Sequence, residues 1–357
     1  MMIKYSLTFL SIALAPLLLS SEFFPATVDG DKWGYIDVTG EFVIEPEFQR
    51  VEAFVDGLAI VSIGKEKTGV IDVKGELLHQ VRYSQLQNMG CDLVGITDRR
   101  GRVRVLDVRN KEIIGEYATV GSCRNGLFPY QKTAEGLWGF SDRFGEILIP
   151  PKYTEAFSFH EERALVYEGK PDYWLNEIMP IGDGYKFLDP EGETFAVDGK
   201  FAGEFSGGLA PVWKEGEHGY IDKEGVMVIE PSSSFTIPLG FSEGIGISYQ
   251  SRNRIKFYDA KGRKLFHKEG LRALPFSGDS SAYFNGESWI VINPQGEELF
   301  FLTGGALRLM GGGVVLHLPD LSSNSFGDPF HANSYAYWKE GKILQSFNYD
   351  QEMDPRP

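Results

Sequence analysis

The chain has 357 residues, with 35 Lys and Arg against 50 Asp and Glu and a formal net charge of −15. That length is ample to bury a core, and 42% hydrophobic with 24% charged residues excludes wholesale disorder. The acidic balance excludes nucleic acid or an anionic membrane surface as the main partner, because both would repel the chain. In chain order the first element is Met1–Ser21, in which Lys4 supplies a positive start and Leu7–Leu19 an uncharged apolar run. Ser20 and Ser21 are small residues suited to cleavage, although Leu18 and Leu19 weaken the site, and the segment reads as a secretory signal peptide. The run falls short of the ~20 apolar residues that span a bilayer, and no later stretch is longer. The expectation is an exported chain, secreted or periplasmic, and not transmembrane once the signal is removed. Cys91 and Cys123, the only two cysteines, either pair in an oxidising compartment or remain buried free thiols.

From Trp33 onward the chain repeats. Asp37, Asp72, Asp107 and Asp142 follow at intervals of 35, and Asp189, Asp222, Asp259 and Asn293 continue the series after an insertion. Three residues after each anchor stand Gly40, Gly75, Asn110, Gly145, Gly192, Gly225, Gly262 and Gly296. An Asp or Asn side chain that accepts from the backbone two residues on pins a type I turn. The following Gly, or Asn as the next best residue, takes positive φ and forms the bulge that restores hairpin twist. Residues two before each anchor (Tyr35, Val70, Val105, Phe140, Phe187, Tyr220, Phe257, Val291) and six after it (Val43, Leu78, Ile113, Leu148, Phe195, Val228, Leu265, Leu299) are all apolar. Such a hairpin is expected to set these two positions opposite each other. The residue just before the anchor, on the other face, is apolar in every unit except at Ser141.

A third strand follows in each unit, as in Leu58–Val61, Ala164–Val166 and Val314–Leu316, and a polar turn leads into the next unit. With 26 Phe, 16 Tyr, 6 Trp and 42 Gly, the composition agrees with short strands and tight turns. The predicted fold is all-β, a tandem array of about eight three-stranded meanders of roughly 35 residues, too small to be stable alone and buried by stacking. Apolar residues on both sheet faces favour a propeller-like ring, with an open β-solenoid as the alternative.

Trp33-Gly34-Tyr35-Ile36-Asp37, Gly40, Val43-Ile44, Pro46, Phe54 and Gly57-Leu58-Ala59 resemble the WG repeat family of bacterial proteins. The same skeleton recurs at Trp138-Gly139-Phe140 with Gly145, and at Gly219-Tyr220-Ile221-Asp222 with Gly225 and Pro231. The resemblance runs from about Phe24 to Pro319 and is best in the first, fourth, fifth and sixth units. It implies a binding or scaffold role.

The repeat domain is placed at 22–320. Glu168–Gly184 interrupts the junction of the fourth and fifth units, and its Tyr173, Trp174, Ile178 and Met179 form a candidate contact loop. Phe24–Val28 reads as a third strand whose unit is missing. Residues 321–357 read as a loop, a decayed ninth hairpin around Tyr335–Leu344 and a disordered tail. No catalytic, cofactor or metal constellation stands out. The six His are scattered, without helical metal spacing. His218 occupies the position of Trp33 and Trp138 and reads as a packing residue. The function expected is therefore a non-enzymatic exported scaffold, without a cofactor, that binds a protein or a cell-envelope component. A carbohydrate or cell-wall binding module is the alternative if Trp174, Trp213 and Trp338 share a groove. A propeller hydrolase would need carboxylates from several units to converge.

Overall fold

The computed structural model describes residues 23–348, apart from 83–84, 171, 175–178, 215, 233–240, 251–252, 312–313 and 320–333. The segment Met1–Ser21 that is read as a signal peptide, Ile178 and the tail beyond Asn348 lie outside the described residues. Among those described there is no helix. Nine small antiparallel sheets form a ring, and a separate two-stranded ribbon pairs Asp172–Trp174 with Met179–Ile181.

Within a sheet the strands follow chain order, as in the second blade: Arg50–Val51, Leu58–Gly64, Lys67–Asp72 and Leu77–Arg82. Neighbouring sheets meet through their first and second strands, as Arg272–Ser277 does with Ala306–Gly311 and Leu58–Gly64 with Gln85–Gly90. The last strands, such as Lys264–Glu269, are the most exposed. Chain order within each blade therefore runs from the axis outward.

This arrangement corrects the expected unit in two respects. The third strand of each sequence unit pairs with the first strand of the next, as Ala59 does with Ile71 and Val61 with Gly69. The blade is thus out of phase with the sequence repeat. Most blades also carry a fourth, innermost strand, which in Arg50–Val51, Thr119–Val120 and Phe201–Ala202 is two residues long and too short to show alternation. There are nine blades where eight units are expected, because the hairpin Ser334–Lys339 and Lys342–Asn348 completes a ninth sheet with Ala306–Gly311 and Val314–Leu318. Phe24–Thr27, expected as the third strand of a missing unit, takes the place in the first blade that Leu58–Gly64 takes in the second, paired with Trp33–Ile36.

The residues one and two before every anchor are buried, including Ser141, whose hydroxyl donates to the Glu146 carbonyl at 3.1 Å. The position six after the anchor departs from expectation. Tyr35 pairs with Ile44 and Ile36 with Phe42, leaving Val43 at the bulge. Val70, Phe140, Tyr220, Phe257 and Val291 likewise pair with the seventh residue after their anchors. A bulge adds one residue to the outer strand and turns the next one over. Only Phe187 and Phe195, in the fifth blade, face each other as expected.

The seventh residue instead packs against the turn glycine of the following blade. Ile44 lies against Gly75, Ile229 against Gly262, Phe266 against Gly296 and Phe300 against Gly341. The series closes on itself, because Gly40 of the first blade lies against Leu344 of the ninth. One core cluster joins Phe24, Trp33 and Tyr35 to Leu316, Tyr335 and Tyr337, and the Trp33 and Tyr335 rings stack at 5.9 Å. Burying each of these aromatic side chains contributes roughly 1.5–3 kcal/mol. The ring is closed by packing between whole sheets, and among the described residues no strand is shared between the first and the ninth.

Candidate functional site

In an antiparallel meander the first-to-second and third-to-fourth turns fall at the same end of the sheet. The Arg143 N–H donates to the Gly126 carbonyl at 2.8 Å, joining these two turns of the fourth blade. The Arg163 guanidinium donates to the Lys223 carbonyl at 3.1 Å, joining the fifth blade to the sixth at that end. One face of the propeller is therefore a double circle of turns.

The outer circle is built by the anchors. The N–H of Gly40, Gly75, Gly145, Gly192, Gly225, Gly262 and Gly296 donates to the carbonyl of its anchor, at 2.9 to 3.1 Å. The anchor side chain accepts from the backbone two and four residues on, as Asp142 does from Phe144 and Glu146 at 2.9 and 2.8 Å. Asp72, Asp222, Asp259 and Asn293 repeat the pattern, and Asp189 accepts from Glu193. In Asp37 the Thr39 hydroxyl and the Thr39 and Glu41 N–H groups hold the carboxyl below the usual carboxylate range. The third blade departs. Asp107 is buried and accepts from the Asn110 N–H and amide, and Lys111, not Asn110, takes positive φ. The Asn side chain is spent on Asp107, so the left-handed turn falls one residue later.

The inner circle consists of two-residue hairpins with both central residues at positive φ: Asp56-Gly57, Cys91-Asp92, Asn125-Gly126, Glu161-Glu162, Gly207-Gly208 and Glu243-Gly244. That conformation matches strand twist and suits Asn, Asp and Gly best. These turns carry a belt of bonds between blades. Asn88 donates to the Val55 and Leu58 carbonyls at 3.1 and 2.9 Å, and the Cys91 N–H donates to Asp56 at 3.0 Å. Cys91 and Cys123 are joined by a disulfide that ties the third blade to the fourth. Glu161 accepts from the Gly207 and Gly208 N–H groups at 2.6 and 2.8 Å. The Ser206 hydroxyl donates to the Phe241 carbonyl, and the Ser242 hydroxyl to that of Phe276 at 2.5 Å.

Between the fifth and sixth blades this belt contains a charged cluster. His160 Nε2 lies 3.5 Å from Glu204 Oε1, and Lys223 Nζ lies 3.9 Å from Glu161. Burial pushes the Glu204 carboxyl up to about 7. Burial, and then the Arg124 charge, push the His160 imidazole below its ordinary value. Sequence reasoning missed both residues and the inner circle, which the Asp56-Gly57, Asn125-Gly126 and Gly207-Gly208 dipeptides signal. Among the described residues no three His, Cys, Asp or Glu side chains are placed to hold a metal ion.

The insertion joins the second and third strands of the fifth blade, so its ribbon, with Tyr173 opposite Pro180 and Trp174 opposite Met179, extends from the opposite face. Trp33 and Trp289 are buried packing residues, and the Trp213 ring stacks on His218. Trp213 and Trp338 belong to the sixth and ninth blades, so these two do not share a groove. Leu148, Ile149 and Pro150 of the fourth blade form a shallow cleft with Pro190, Glu191 and Gly192 of the fifth.

Nine radially packed sheets around one axis make this chain a β-propeller. The family described as WG containing repeat matches at residues 33–66 and 138–170, which are the units carrying intact Trp-Gly pairs. Those two units of the chain are thus WG repeats, and their match supports a WG-repeat family. No curated protein matches it. Among solved structures it is similar to a eukaryotic initiation factor at 9% identity, over 92% of this chain and 96% of that one, with a TM-score of 0.60. It is also similar to AztD from Citrobacter koseri at 13% identity, over 79% and 92%, with a TM-score of 0.44. BamB from Moraxella catarrhalis matches at 14% identity, over 84% and 92%, with a TM-score of 0.38. At such identities the likeness concerns fold alone.

Proposed function

We propose that this propeller is an exported, non-enzymatic scaffold that binds a protein partner, or another component of the cell envelope, on its outer wall. The observation that carries this reading is the repeated apolar residue six after the anchor. It lies exposed in six of the eight units, at Val43, Ile113, Leu148, Val228, Leu265 and Leu299. Folding gains little from an exposed apolar side chain, so apolar residues recurring at that position in blade after blade suit an interaction surface. The disulfide between Cys91 and Cys123 supports export, since such bonds persist in oxidising compartments.

Photo-crosslinkers placed at Leu148 and Leu299 in cells should trap a defined partner, and one placed at buried Leu316 should trap none. Fractionation should place the processed chain outside the cytoplasm. Recovery of the chain in the cytoplasm with free thiols would overturn export, and absence of any adduct from the outer wall would overturn the scaffold reading.

A further inference from the structure

The hairpin Arg254–Asp259 and Lys264–Glu269 of the seventh blade is basic within an acidic chain. Residues 254–272 contain seven Lys and Arg against two Asp and Glu, in a protein of net charge −15. Register sorts these charges by face. Lys256 lies opposite His267, Tyr258 opposite Lys264 and Arg254 opposite Glu269, and side chains directly opposite share a face. On the other face Ile255, Phe257 and Phe266 pack with Phe276 and Tyr283 of the eighth blade, and Lys268 is paired with Glu298 at 3.0 Å. The first face is left with Arg254, Lys256, Lys264 and His267 beside the single carboxylate of Glu269.

Arg254, Lys264 and His267 are exposed and Lys256 is half-buried. Burial, Lys264 and Arg254 all push the Lys256 ammonium below its ordinary value. Lys256 has Arg254 two residues away on its own strand and Lys264 diagonally across, with no carboxylate opposite it. These like charges repel and work against folding. Lys264–Glu269 is also the outermost strand, paired on one side only, which leaves a row of backbone donors and acceptors open.

We infer that this strand is a docking edge for an extended, acidic segment of the protein partner. The segment would pair its backbone along Lys264–Glu269 and set carboxylates on alternate residues against Lys256, Lys264 and His267. The two-residue period of an extended chain delivers every second side chain to the cationic face. This inference rests on the scaffold reading and gives its partner a chemistry.

The test uses the whole mature protein and a labelled ten-residue peptide of alternating Glu and Thr, followed by fluorescence anisotropy. The same peptide with Gln for Glu and an inorganic polyphosphate serve as comparisons. The Glu peptide should bind, and Lys256→Gln with Lys264→Gln should weaken it about tenfold. The equal charge loss of Lys74→Gln with Lys132→Gln should leave binding unchanged, and added salt should weaken it through screening. Equal binding of the Gln peptide, or binding of polyphosphate without the Glu peptide, would overturn the inference on unmodified protein alone. So would full binding by the folded Lys256→Gln, Lys264→Gln protein. If that variant still crosslinks the natural partner, the docking edge fails while the scaffold reading stands; if the wild-type protein crosslinks nothing, the scaffold reading fails while the peptide result still judges the edge.

Discussion

The Tyr337 hydroxyl donates a 2.8 Å hydrogen bond to the carbonyl of Pro25, 312 residues earlier. Beside it, the Tyr335 hydroxyl accepts from the Thr27 N–H at 2.9 Å. These bonds join the two ends of the described chain, where the first blade meets the ninth. The Tyr335 hydroxyl also donates to the Thr27 carbonyl at 3.3 Å. Replacing both tyrosines by Phe, which keeps the rings and removes the hydroxyls, should therefore cost about 2–3 kcal/mol, at about 1 kcal/mol per hydrogen bond. Deleting residues 334–357 should also expose the first blade. Amide exchange within Trp33–Ile36 is the measure, and unchanged protection there would contradict a closed ring.

The turn glycines should differ in sensitivity. Gly145 and Gly192 both hold positive φ, at 88° and 96°, so any side chain at either costs about 1–2 kcal/mol. A Cβ on Gly145 would also meet the Ile114 carbonyl oxygen at 2.3 Å, whereas on Gly192 the nearest atom is a methyl of Ile149 at 3.9 Å. Gly145→Ala should therefore destabilise the protein by at least about 1 kcal/mol more than Gly192→Ala in urea titrations. Equal midpoints would mean that blades do not stack through their turns.

The Cys91–Cys123 bond closes a loop with a sequence separation of 32. Replacing both residues by Ser should cost about 3–4 kcal/mol if restriction of the unfolded chain dominates. The loss should appear equally when the wild-type protein is melted in reductant. Identical melting with and without reductant would show that the bond adds nothing.

Glu204 predicts a pH dependence. Its folded pKa of about 7 lies above that of a solvated carboxyl, so the folded state holds this proton more tightly than the unfolded state. The associated stability is fully present below the unfolded pKa and is lost as pH rises through about 7. His160 is shifted downward and acts oppositely, losing stability as pH falls below the unfolded imidazole value. Solvated His is half neutral at pH ~6.5 and almost wholly neutral by pH ~7.5, and comparison with Glu204→Gln, which keeps His160, isolates the Glu204 effect. Between pH 6.5 and 8 the wild-type protein should lose of the order of 1 kcal/mol relative to Glu204→Gln. Parallel urea midpoints over that range would exclude it.

The exposed outer-wall residues should be nearly free to change. Leu148→Ser should alter stability by about 0.5 kcal/mol or less, whereas Ile149→Ala, one residue on and buried, should cost about 2–4 kcal/mol. A large loss at Leu148 would place it in the packing instead of on a binding surface.

The sequence by itself determined the local structure. An Asp that bonds its own turn and a Gly with no Cβ are properties of a few consecutive residues, so Asp142 with Gly145 could be read without a partner in space. The buried pairs before each anchor, such as Tyr35-Ile36 and Phe257-Tyr258, followed from the same spacing and implied that both faces of every sheet are covered. Tertiary structure decided what depends on a second sheet. The two-residue inner strands exist because a neighbouring strand offers hydrogen bonds, and Val43 and Leu148 are exposed because the bulge hands their expected place to the next residue. Ring closure required Leu344 to meet Gly40, and the His160–Glu204 contact required two blades to converge. Those meetings are set by the angle at which successive sheets pack, which no single repeat records.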